Sequence, residues 1–142
     1  MRDNELVFEF HGWVTLRDRA TQEDLPVVAD ETVNHVKRLV KDVRKAATFV
    51  GGAAEVRAVN GEWHVIIHGL RNHRQGWVVD LYRSIAAEAP GSYGLLHVHD
   101  DEAEDDDRWV CWTMLRGRVD ESTEQRLTPH FGRVEDDPYQ EL

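Results

Sequence analysis

Asn60-Gly61 is the feature of this chain that most restricts what it can fold into. The pair sits between two stretches of alternating pattern, "AEVRAV" and "EWHVIIHGL". Two consecutive residues that tolerate positive φ make the tight turn whose twist matches that of paired strands. The flanking segments are therefore predicted to form an antiparallel hairpin. On its second arm Trp63, Val65 and Ile67 share one face, and His64, Ile66 and His68 share the other.

The other elements follow from periodicity. "LVFEFHGWVTL", Leu6 to Leu16, is aromatic and β-branched and reads as a first strand, with Leu6, Phe8 and Phe10 on one face. Gly12 in its middle marks a bulge or a close backbone approach. In "DETVNHVKRLVKDVRKAATFV" Val33, Val36, Val40 and Val43 recur at spacings of three and four, with Leu39 and Ala47 on the same stripe. That is an amphipathic helix, with Asp30 as N-cap and "VGG" at 50–52 as its stop. "WVVDLYRSIAAEA" puts Trp77, Val78, Leu81 and Ile85 on one helical face before Pro90-Gly91. "SYGLLHVHD" and "RWVCWTML" are a fourth and a fifth strand. From Arg118 onward the periodicity fades into an edge element or a tail, loosely ordered from about residue 130.

The order is β-α-β-β-α-β-β. Hairpins imply antiparallel pairing, so the expected fold is α+β: a mostly antiparallel sheet with two helices packed on one face. A chain of 142 residues without a linker-like segment or a repeat fits a single domain, 1–142. No stretch approaches the length of a membrane span, and the N-terminus lacks the signature of a secretory signal. The lone cysteine, Cys111, has no internal disulfide partner. A cytoplasmic protein that binds neither membrane nor nucleic acid is expected.

The charge is unevenly spread. Residues 1–99 hold 13 Asp and Glu against 12 Lys and Arg, whereas residues 100–142 hold 14 against 5. The C-terminal third thus carries −9 of the formal −10. Phosphate recognition needs clustered cations, so nucleic-acid binding is disfavoured and a cationic partner is favoured, with simple solubility as the bland alternative.

Several groups invite a chemical reading. His97 and His99 share a strand face, as do His64 and His68; if those strands paired, four imidazoles could meet at a metal. No H-E-x-x-H or paired C-x-x-C motif supports this. Otherwise His97 is half-buried and His99 faces solvent. No nucleophile elbow or phosphate-binding glycine loop is present, and apolar Val110 and Trp112 beside Cys111 would raise its pKa. No enzyme activity, catalytic residue or cofactor is expected. Arg71 or Arg74 in "RNHR" is expected to pair with an acid across the fold. The remaining feature is "DDEAEDDD", seven acids in the eight positions from Asp100 to Asp107. It lacks the pattern and turn glycine of a calcium loop, so a basic protein is its natural complement. Asp101, Glu102, Glu104, Asp105, Asp106 and Asp107 are taken as an electrostatic face. Trp109 and Trp112 face opposite sides of their strand; Trp112 is expected in the core and Trp109 beside the acids, as an interface anchor.

"FEFHGWVTLRD", "GLRNHR" and "APGSYGLLHVHDDE" resemble the immunity protein 7 family of bacterial polymorphic toxin systems. The resemblance runs from about Leu6 to Pro129 and is most specific at His11-Gly12-Trp13 and Tyr93 to Glu102. It implies an α+β protein encoded beside a secreted toxin, binding that toxin's catalytic domain, in most cases a nuclease, and protecting the producing cell. No contact residue is carried over from the family, and Glu104 to Asp107 is a local embellishment. The expected partner is a basic cognate toxin domain.

Overall fold

The computed structural model describes residues 6–20, 27–46, 52–130 and 132–136. Strand β1 (Phe8–Thr15) is followed by helix α1 (Asp30–Ala46), the hairpin β2 (Gly52–Val59) and β3 (Glu62–Arg71), helix α2 (Trp77–Glu88), and strands β4 (Tyr93–Asp100), β5 (Trp109–Leu115) and β6 (Arg118–Glu124). The strands form one antiparallel sheet in the order β2-β3-β1-β4-β5-β6. The expected α+β class holds, with a sixth strand added.

The hairpin turn is where the sequence puts it, with Asn60 at φ 50° and Gly61 at φ 81°. A second turn of the same kind, Arg116 at φ 51° and Gly117 at φ 76°, joins β5 to β6. Strand β6 was legible only as an edge element because it is polar on both faces. Its sequence "RVDESTE" is mostly exposed, and backbone pairing to β5 defines it.

β1 runs through the middle of the sheet between β3 and β4. Its even residues Phe8, Phe10 and Val14, and Leu16 just beyond its end, are buried under the helices. Register carries the same parity to neighbouring strands, so Val65 and Ile67 of β3, Leu96 and Val98 of β4, and Met114 of β5 join one core. α1 contributes Val33, Val36 and Val40, and α2 contributes Val78, Leu81, Tyr82 and Ile85. Each such side chain contributes on the order of 1.5–3 kcal/mol on full burial.

Local interactions set the helix ends. Asp18 accepts from the Ala29 N–H at 2.7 Å and from the Thr32 hydroxyl at 2.6 Å, so its carboxylate serves the positive end of α1. Asp30, expected as N-cap, lies within the first turn. Ala47 and most of the "VGG" stop fall outside the described residues. α2 ends at Glu88, immediately before the expected stop, with the Ala89 N–H closing onto Ile85. Gly12 makes no bulge, since both of its ladders run on unbroken. It is tightly packed, a Cβ there lying 2.7 Å from Leu96 Cδ1, and a closer approach to backbone is at Gly94, where a Cβ would lie 2.0 Å from the Trp13 carbonyl oxygen.

Candidate functional site

The acidic stretch connects β4 to β5, and its first residues are tied down. The Asp100 carboxylate takes a hydrogen bond from Arg74 Nε at 2.6 Å and another from the Glu102 N–H at 2.9 Å. Glu102 meets His73 Nδ1 at 2.6 Å. These two contacts lock the loop after β3 onto the start of the acidic connection, which is the cross-fold pairing expected of Arg74. The hydrogen bond from His73 holds the Glu102 carboxyl below the usual glutamate range.

Asp101 points inward. Its side chain is only 8% exposed, its Oδ2 accepts from the Val7 N–H at 3.1 Å, and its Oδ1 lies 3.4 Å from His99 Nδ1. Asp107 is half-buried, with its carbonyl held by the His130 N–H at 2.7 Å. The side chains of Glu102, Glu104, Asp105 and Asp106 are exposed. The last three make no ion pair with a described residue. Of the six acids expected to form one face, four therefore face water while Asp101 and Asp107 help to hold the loop.

The two tryptophans take the expected faces, with Trp112 packed against the core on the helix side and Trp109 by the acidic turn, but their burial differs from expectation. Trp109 is buried at 5% exposure, and Trp112 is half-buried. Trp109 lies on the face of the sheet away from the helices, which would be open there had the chain not returned to cover it. The Trp109 indole N–H donates to His130 Nδ1 at 3.1 Å, and its backbone N–H donates to the Thr128 hydroxyl at 2.9 Å. His130 stacks on His99 with ring centroids 4.2 Å apart. Trp109 is thus a fastener for the segment around His130, not an exposed anchor. Trp112 lies on the helix side, with the Arg83 guanidinium 5.3 Å above its ring.

The histidines are split. β1 separates β3 from β4, so His68 and His97 both pair across to His11 instead of to each other. Two strand spacings, about 10 Å, separate their backbones. His64 is engaged with the Thr15 hydroxyl at 3.1 Å. His99, expected in solvent, is 2% exposed, and its Nε2–H donates to the Asp106 carbonyl at 2.6 Å. His64, His68, His97 and His99 do not converge. Among the described residues no group of three or more His, Cys, Asp or Glu is arranged to hold a metal. Cys111 sits beside His97, and burial pushes its thiol pKa up, in the direction its apolar neighbours suggested.

The arrangement is a braced acidic turn at one end of an antiparallel sheet, with charged side chains outside and aromatic fastening beneath. Residues 7–136 match the family described as Immunity protein 7, and the chain belongs to that family. No curated protein and no solved structure matches the chain. Membership makes this an immunity protein of toxin systems and implies a toxin partner. No helix among the described residues is long and apolar enough to cross a membrane.

Proposed function

We propose that this protein binds and neutralises the catalytic domain of a cognate secreted toxin, a basic nuclease, in the cytoplasm of the producing cell, and that it does so non-enzymatically through its acidic turn. The observation that carries the reading is the acidic turn: Glu102, Glu104, Asp105 and Asp106 are exposed together, and the Arg74–Asp100 and His73–Glu102 contacts brace its first residues. A nuclease must present basic side chains to phosphate. An acidic surface that needs little ordering can occupy that region with a small entropic penalty. Complementary charge raises association rates by roughly ten- to a thousandfold at low salt and is screened over about 8 Å at physiological ionic strength.

The test is calorimetry between this protein and the C-terminal domain encoded by its neighbouring toxin gene, at low and high salt, with nuclease activity followed in parallel. Tight, salt-weakened binding with loss of activity is expected. Replacing Glu104, Asp105 and Asp106 together by lysine should slow association and flatten the salt dependence. Unchanged kinetics in that variant would remove the acidic-turn mechanism while leaving toxin binding intact.

A further inference from the structure

A cleft of about 410 Å³ opens beside the acidic turn, where the N-terminal end of α2 stops short of covering the sheet. Its floor is apolar, lined by Phe8, Val98, Val110 and Trp112 of the sheet, with Val79 of α2 as an apolar wall. Its rim is charged, but the rim cations are already engaged. Arg74 is held by Asp100 at 2.6 Å, and Arg108 lies 3.5 Å from Glu121. Asp105, also on the rim, makes no ion pair with a described residue, and Glu104 and Asp106 flank it in the chain.

We infer that this cleft is the anchor socket for the toxin domain, and that it takes an aliphatic or aromatic side chain with an arginine or lysine within a few residues of it. The inference rests on the toxin-binding reading above. An apolar floor rewards a buried apolar group, and affinity at protein interfaces is concentrated in such desolvated pockets. The unpaired Asp105 carboxylate at the mouth selects a cation beside that group and disfavours an acidic one. Charge then governs how fast the partner arrives, and the socket governs how long it stays.

Gly76 gives a clean perturbation. It lines the cleft with φ −60°, and a Cβ added there meets no heavy atom within 4 Å. Gly76→Phe should therefore fold normally while obstructing the socket. Val79→Lys, on the helical wall, is the second variant, and Val59→Lys on the edge strand β2 is the control, since Val59 is exposed and remote from the cleft. Binding to the neighbouring gene's C-terminal domain is followed by surface plasmon resonance, with urea unfolding to verify the fold. Gly76→Phe and Val79→Lys should raise Kd at least tenfold, mainly by faster dissociation, with Val59→Lys unchanged. Folded variants that bind as the wild type does would overturn the socket while toxin binding stands. No binding by the wild type itself would overturn both. If Val79→Lys fails to fold, Gly76→Phe decides. The occupant's chemistry is read separately, by placing a photo-crosslinking p-benzoylphenylalanine at Gln75, another cleft residue. Capture of an apolar residue next to Arg or Lys supports the assignment, and capture of an acidic segment overturns it.

Discussion

Trp109→Phe tests the part of the structure that departs most from the sequence reading. The substitution keeps an aromatic ring in the site but removes the indole N–H that donates to His130 Nδ1 at 3.1 Å. His130 is 4% exposed, so solvent cannot replace the lost donor. Breaking this buried hydrogen bond by removing its donor costs about 1–3 kcal/mol, and the smaller ring gives up part of the contact with His99 and His130, centroids 5.3 and 6.3 Å away. The expected destabilisation is about 2–3 kcal/mol, and Trp109→Ala should reach roughly 3–5 kcal/mol. Were Trp109 an exposed anchor, the change would stay within about 0.5 kcal/mol. Urea unfolding followed by circular dichroism measures this directly. With a slope of about 1–3 kcal/mol/M the midpoint should fall by about 1 M. His130→Phe and Trp109→Phe each break the same hydrogen bond, so the double variant should be less destabilised than the two single variants predict together. A Trp109→Phe protein as stable as the wild type, or strict additivity in that cycle, would refute the fastener.

Three further outcomes follow from single residues. Tyr82 is fully buried and its hydroxyl has no hydrogen-bond partner among the described residues, so Tyr82→Phe should leave urea stability unchanged or raise it by about 1 kcal/mol; a clear loss would point to a missed partner. Gly94→Ala places a methyl group 2.0 Å from the Trp13 carbonyl in the centre of the sheet, and its thermal midpoint should fall by well over what a loss of about 2 kcal/mol produces, whereas a tolerated alanine would contradict the β1–β4 register. The Glu102 carboxyl is depressed chiefly by its hydrogen bond from His73, so it favours the folded state above the unfolded glutamate pKa, and that contribution is lost as pH falls through the lower, folded value. In a carboxyl-carbon NMR titration, His73→Ala should move the Glu102 midpoint upward towards the ordinary range; no movement would mean the contact is absent in solution.

What could be read from the chain alone was local. Asn60-Gly61 determined a hairpin because the backbone of those two residues favours that turn, and the valine spacing from Val33 to Val43 determined a helix and its buried face. The alternation in β1 and β3 identified the inward face, with Phe8, Phe10, Val65 and Ile67 buried on it though Leu6 is exposed, since a period of two needs no knowledge of neighbours. The acidic run was equally visible, as was Arg74 as a partner for an acid. The family was legible too, from the stretches around His11 and Tyr93.

Tertiary structure decided whatever depends on which segments lie side by side. Parity places Trp109 and Trp112 on opposite faces, but which of those faces is covered at that point is set by a segment some twenty residues later, around His130. The same return of the chain buries His99. The insertion of β1 between β3 and β4 separates the histidine pairs, and no local pattern encodes strand order because loop-closure entropy varies only slowly with separation. β6 escaped recognition as a strand because backbone hydrogen bonds define it without an apolar face. The cleft beside the acidic turn is of the same kind: its walls come from β1, α2, β4, β5, β6 and two loops, and it exists only because α2 begins where it does.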